Sequence, residues 1–333
     1  MPNRLPVLDG VRGVAILLVL IGHFIGAPWA VSLFGSAGVQ LFFVLSGFLI
    51  TRILMRDQAS GRPSLRTFYY RRFLRIAPAF WVFLLAAYAL GRATGASSGK
   101  EVLTAFFYMA DYRPLHWAIG HTWSLSVEEQ FYLIWPALFL LLGPRRVRYW
   151  LCGVICAGPF IHAHISAVDP NTPHLGFFAN EDALAAGCLL AIVREGAATS
   201  RIWLFITHKR AFPVLVATAF CAAWAGTMDP GKTVVRTPFL LAFALVIETA
   251  LRQGSAFLLI PPLRAMGRAS YSLYLWQQLG THGGHMASLP MFAGSILLGM
   301  ASYFLVERPF LRLKDRSGQF PTGSILTVEP SAA

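Results

Sequence analysis

Charge is scarce in this sequence. Of its 333 residues only 13% are Asp, Glu, Lys or Arg, about half the share typical of soluble globular domains. Acidic side chains are the rarer sign, 15 against 28 basic ones. With 56% hydrophobic residues and a mean hydropathy of +0.57, an ordinary water-soluble domain is excluded. Cysteine is nearly absent: Cys152, Cys156, Cys188 and Cys221 all fall in apolar runs and form no CxxC pair. They are expected to be small buried hydrophobes, with neither a disulfide framework nor a zinc site. His162 with His164, and His282 with His285, lack carboxylate or cysteine partners at metal-ligand spacing, so no metal is expected. His164 and Asp169 stand alone at the end of an apolar run and read as coincidence. A Walker A run, a GxSxG elbow and a glycine-rich nucleotide fingerprint are missing too, which argues against P-loop, serine-hydrolase and Rossmann chemistry.

What the chain has in quantity is apolar runs near 20 residues long. They predict an all-α, polytopic integral membrane protein with about ten transmembrane helices, near 8–27, 37–54, 73–91, 124–142, 149–167, 175–193, 211–228, 237–251, 269–287 and 290–307. The first run has a basic Arg4 before it, but Asp9 and Arg12 interrupt its start and no A-x-A cleavage site follows. It is therefore kept as helix 1 rather than a signal peptide. Basic residues collect in alternate loops: with the N-terminus inside, 23 of the 28 Lys and Arg lie on the inner side and 5 outside. That bias predicts both termini in the cytoplasm and a multi-pass protein of the cell inner membrane. The net charge of +13 is thus a matter of topology, membrane lipid and phosphate contact, not of nucleic acid. Glu101 to Ala110 is too short to span, and Ala256 to Leu263, broken by Pro261 and Pro262, is expected to lie at the inner interface. Residues 1–315 form one transmembrane domain in this reading, and 316–333 a disordered cytoplasmic tail.

Ionisable residues inside apolar helices are costly and mark function by default. Helix 1 carries Asp9, Arg12 and His23. Arg12 and His23 are eleven residues apart, which places them on one helix face about 16 Å apart along the axis. Arg12 then sits near the cytoplasmic surface and His23 close to the midplane. His23 reads either as a packed core histidine or as a general base, the usual role of neutral imidazole near pH 7. The first inner loop and the start of helix 3 hold seven arginines and no lysine, Arg72 and Arg75 being three apart. Positive-inside topology accounts for part of this, while planar, bidentate recognition of phosphates accounts for the choice of arginine. In HTWSLSVEEQFYLIWP, Glu128 and Glu129 stand at the expected outer start of helix 4. Ser126 and Glu129 fit a capping box, and the second carboxylate is free to orient His23 or bind acceptor hydroxyls. Asn180, Glu181 and Asp182 form a further polar cluster, suited to a structural pair or to substrate contact.

Taken together, LDGVRGVAILLVLIGH, GVQLFFVLSGFLITRIL, FYYRRFLRIAP, HTWSLSVEEQFYLIWP, ASYSLYLW and VERP, in this order, resemble the acyltransferase-3 membrane O-acyltransferases over roughly residues 5–315. The resemblance implies transfer of a short acyl group, acetyl above all, from an acyl-CoA donor to a hydroxyl of a cell-envelope carbohydrate such as polysaccharide or lipopolysaccharide. It implies His23 as catalytic with Glu128 and Glu129 beside it, and Arg12, Arg72 and Arg75 as donor-handling. The chain departs from the pattern at Gln277, where many relatives have histidine after the tryptophan, and at Asn180, where many have arginine. Some relatives carry a further periplasmic domain, which this chain is too short to be expected to have. A macrolide-like small-molecule acceptor, or a non-enzymatic carrier of lipid or glycan, are the competing readings.

Overall fold

The computed structural model describes residues 5–61, 64–94, 99–168, 176–197, 200–228, 235–282, 285–286 and 288–317. Asp169 and most of the expected tail, 318–333, lie outside the described residues. The chain is almost wholly helical: α1 Pro6–Ile25; α2 Pro28–Ala30, leading through a π-helical turn (Val31–Gly35) into α3 Ser36–Ala59; α4 Leu65–Thr94; α5 Gly99–Phe106; α6 Trp117–Gly120; α7 Trp123–Val168; α8 Glu181–Ala197; α9 Arg201–Ile206; α10 Phe212–Met228; α11 Arg236–Gln253; α12 Pro261–Trp276; α13 Leu289–Ser302; and, after a second π-helical turn (Tyr303–Glu307), α14 Arg308–Ser317. One short antiparallel pair, β1 Thr281–His282 with β2 His285–Met286, is the exception among the described residues.

Among the described residues five segments are long and apolar enough to cross a membrane: Pro6–Ile25, Pro28–Ala59, Leu65–Thr94, Trp117–Val168 and Leu289–Lys314. Their outward faces are strongly apolar, with Leu141 81% exposed and Phe160 and Leu305 each 77% exposed. Water would penalise such surfaces, whereas hydrocarbon would not. α7 is bent at Gly143, whose φ of 69° and ψ of 165° leave the helical region. Glycine adopts that conformation without steric cost, and Pro144 follows it. The arms 123–142 and 144–168 fall on two of the expected spans.

One expectation about the chain path is corrected. The span expected at 269–287 ends early: α12 stops at Trp276, and a 3-10 turn (Gln277–Gly280) and the β-pair follow. Ala256 to Leu263 is divided at the prolines, a 3-10 turn (Phe257–Leu259) lying before them. Pro261 opens α12, at the position where a missing N–H costs nothing. The cysteine reading also changes: Cys188 is buried, but Cys152, Cys156 and Cys221 are free thiols on outward helix faces, since an apolar surround outside the bundle suits them as well as its core.

Glycine crossings close the bundle. A Cβ on Gly267 of α12 would strike the Asp9 carbonyl of α1. On the other side of the core, Cβ atoms on Gly47 of α3 and Gly187 of α8 would strike the carbonyls of Leu184 and Val44. Small residues permit this close backbone approach, which is how helices associate where lipid removes the hydrophobic drive. Gly187→Ala is expected to destabilise the detergent-solubilised protein by about 1–3 kcal/mol through overpacking. Gly153→Ala, where an added Cβ meets nothing within 4 Å, should leave the melting temperature unchanged.

Candidate functional site

α1 is the spine of the site. Asp9 is buried, and Arg12 lies 3.6 Å from its carboxylate one turn on. His23 occupies the last turn, just before Gly26 caps the helix in the left-handed region with its N–H on the Gly22 carbonyl. Along α1 His23 therefore lies at the end remote from Arg12. Its Nδ1 is 2.9 Å from the Val19 carbonyl oxygen. That oxygen only accepts, so the proton of the neutral ring is on Nδ1 and the lone pair on Nε2. The ring meets Trp117 edge-on, with centroids 5.8 Å apart. Trp117 donates its Nε1–H to Thr281 Oγ1 at 2.8 Å, and that hydroxyl donates to the Gln278 carbonyl at 2.9 Å. His121 is held close by, its Nε2 3.0 Å from the Leu275 carbonyl and its ring within electrostatic reach of His23.

A second polar group gathers where α1, α3, α4, α7 and α12 approach. Ser46 Oγ donates to Glu128 Oε1 at 2.6 Å. Arg72 donates from Nε (3.2 Å) and Nη2 (2.9 Å) to Glu129 Oε1, and its guanidinium lies over the Tyr132 ring, 3.0 Å from the centroid. Glu307, in the second π-helical turn, is buried and accepts from Ser272 Oγ at 2.7 Å. Arg12 and Arg75 both act electrostatically on Glu128 and Glu307. Arg12, Arg72, Arg75, Glu128 and Glu129, distant in sequence, thus share one cluster.

The carboxylates do not stand where the sequence placed them. Glu128 and Glu129 were expected at the outer surface, yet they lie beside Ser46, in the middle of α3, and Arg72 of the arginine-rich stretch. The capping box is absent as well: α7 begins at Trp123, and Ser126 accepts from the Ala110 N–H and donates to the Thr122 carbonyl. Nor does either glutamate orient His23, since the Val19 carbonyl holds the ring and both carboxylates have other partners. Asp182 forms a structural pair, accepting from Arg236 Nε at 2.6 Å and Nη2 at 2.7 Å, and Asn180 Oδ1 accepts from Gln40 at 3.0 Å.

Sequence reasoning missed Glu307 and Ser272. The signal was available, a lone carboxylate ending an apolar run, but only the motif was noted. Trp117 and Thr281 gave no signal, because their meeting depends on the turn after α12. Among the described residues no group of three or more His, Cys, Asp or Glu side chains is placed to hold a metal.

A family model described as an acyltransferase domain matches residues 5–306. The O-acetyltransferase OatA of Staphylococcus aureus is 28% identical over 314 residues, 83% of this chain and 50% of that protein. The putative peptidoglycan O-acetyltransferase YrhL of Bacillus subtilis is 29% identical over 92% of this chain and 54% of its own length. The peptidoglycan O-acetyltransferase OatA of Listeria monocytogenes is 27% identical over 81% and 48% respectively. The chain spans about half the length of these curated relatives, and no solved structure matches it. A match running from the start of α1 to the second π-helical turn includes every residue of both polar groups except Glu307, and the chain belongs to the acyltransferase-3 family.

Proposed function

We propose that this chain is a membrane O-acyltransferase that moves an acetyl group from acetyl-CoA to a hydroxyl of a cell-envelope carbohydrate. The relatives' names make peptidoglycan the first acceptor to test. The observation that carries the reading is the state of His23: its Nδ1–H is committed to Val19, which leaves a lone pair on Nε2 for a proton. Arg12 and Arg75 hold the anionic end of the donor in this reading. The separation of Arg12 from His23 along α1, about 16 Å by helix rise, suits a carrier whose phosphates and thioester are joined by a long arm. Arg72, already bonded to Glu129, fixes the wall against which that end is bound.

The reaction needs one proton acceptor and one proton return. The acceptor hydroxyl gives its proton to His23 Nε2 as its oxygen bonds to the acyl carbon. The tetrahedral intermediate then expels the thiolate, which takes the proton back from His23. The positive-inside bias supports ten spans with both termini cytoplasmic in the cell inner membrane, so that the arginine cluster faces the cytoplasmic pool of donor.

His23→Ala should leave the protein folded in membranes and abolish the ester-linked acetate that mild base releases from isolated envelope polysaccharide. Unchanged acetate would remove His23 from the mechanism. Arg72 and Arg75 should separate in their effects. Arg72→Ala strands Glu129 in a mostly buried site and is expected to cost about 3 kcal/mol of stability, read as a lower melting temperature and poor accumulation. Arg75→Ala, which breaks no hydrogen bond or ion pair among the described residues, should keep the melting temperature and raise KM for acetyl-CoA at least tenfold.

A further inference from the structure

The end of α12 and the 3-10 turn after it carry polar atoms that the fold does not satisfy. Gln277 is fully buried, yet neither its Nε2 nor its Oε1 has a hydrogen-bond partner among the described residues. Next to it Trp276, 8% exposed, has an unpartnered Nε1–H, and the buried side chains of Gln278 and His121 have an unpartnered Oε1 and Nδ1. Folded proteins satisfy nearly all buried polar atoms, and an exception calls for a reason. Four residues sharing the exception in one place point to a ligand that completes them.

Their place is the His23 end of α1. Ile16, Val19 and Leu20 of α1 pack in one cluster with Leu273, Tyr274, Leu275 and Trp276 of α12. His23 meets Trp117, Trp117 binds Thr281, and Thr281 donates to the Gln278 carbonyl. His121, bonded to the Leu275 carbonyl, lies within electrostatic reach of His23. Both free donors, the Gln277 amide and the Trp276 indole, belong to consecutive residues at the end of α12, the helix that packs along α1. Because both ends of the Gln277 amide are unpartnered, its Nε2–H is available whichever way the amide is turned.

We infer that Gln277 and Trp276 form the oxyanion subsite of the acyl-transfer reaction, their N–H groups receiving the acyl carbonyl oxygen. This rests on the reading of the chain as an O-acyltransferase. As the acceptor oxygen bonds to the acyl carbon and its proton passes to His23 Nε2, the carbonyl π pair moves onto oxygen. That negative charge is held by Gln277 Nε2–H and Trp276 Nε1–H. When the pair returns, the carbon–sulfur bond breaks and the thiolate leaves with the proton from His23. Fixed N–H donors aimed at developing charge in a water-poor site are the usual means of stabilising such an intermediate.

The test uses the full chain, expressed from a plasmid in a strain lacking its own copy. Base-labile acetate on isolated envelope polysaccharide is followed over time at matched membrane levels of each variant, and purified variants are melted in detergent. Gln277→Leu is expected to slow acetate incorporation about 10²–10³-fold, the loss seen on removing one oxyanion donor. Its melting temperature should stay level or rise, because an unsatisfied amide gives way to an apolar group of similar size. Gln277→His, which keeps an N–H, should retain at least a tenth of the wild-type rate. Trp276→Phe should lose at least tenfold, and it also serves should the leucine variant not accumulate. If Gln277→Leu and Trp276→Phe both work within threefold of wild type while His23→Ala is inactive, the oxyanion assignment falls and the acyl-transfer reading stands. A melting temperature that drops with the rate, without rescue by histidine, reduces Gln277 to a packing role and also overturns the assignment. Equal acetate with and without the wild-type gene overturns both.

Discussion

The pairing of Arg72 with Glu129 is the constraint on which the interior depends. An apolar bundle can hold an ion only if a counter-ion comes with it, since moving either charge from water into such surroundings costs several kcal/mol. Here the carboxylate meets two guanidinium nitrogens, and the guanidinium also rests on the Tyr132 ring. The pair ties α4 to α7 and draws the start of α7 deep enough for Glu128 to find Ser46. It also divides labour between the two arginines: one is committed to the frame, and Arg75 is left to act on Glu128 and Glu307 at longer range.

The glycine crossings serve the same geometry. With Gly267 letting α12 press against the Asp9 carbonyl, α1 and α12 run together. The ends of both helices, His23 on one and Trp276 and Gln277 on the other, then arrive at the same level. The arginine group and the histidine end become two stations on a shared wall. That suits a donor with its charge at one end and its reactive carbon at the other.

The long helices were legible because apolar runs of membrane length have few alternatives, and the gap between the spans read at 124–142 and 149–167 holds the bend in α7 at Gly143. Arg12 stood out for a related reason, as charge inside an apolar run demands explanation, and Arg72 and Arg75 stood out in a stretch of seven arginines without a lysine. What could not be read was depth. A chain that enters the bundle through α5, α6 and a loop can begin its next helix well inside, and no hydropathy window reveals this. Glu128 and Glu129 were therefore assigned to the wrong level, and Ser126 to a cap it does not form. The end of α12 was hidden similarly. Gln277 and Gln278 interrupt an apolar pattern only mildly, yet they mark the change from helix to turn.

The bond from His23 to the Val19 carbonyl carries a consequence for the life of the protonated ring. In a catalytic triad the imidazolium leans on a carboxylate, which lets it persist. Among the described residues His23 has only a neutral carbonyl behind it, and the glutamates are engaged elsewhere. In the proposed reaction an imidazolium formed here would have no carboxylate behind it among the described residues, only the anionic intermediate in front of it. In the proposed mechanism it would be a transient that discharges within the same visit of the substrate, which would couple proton return to the departure of the leaving group and disfavour a long-lived charged intermediate.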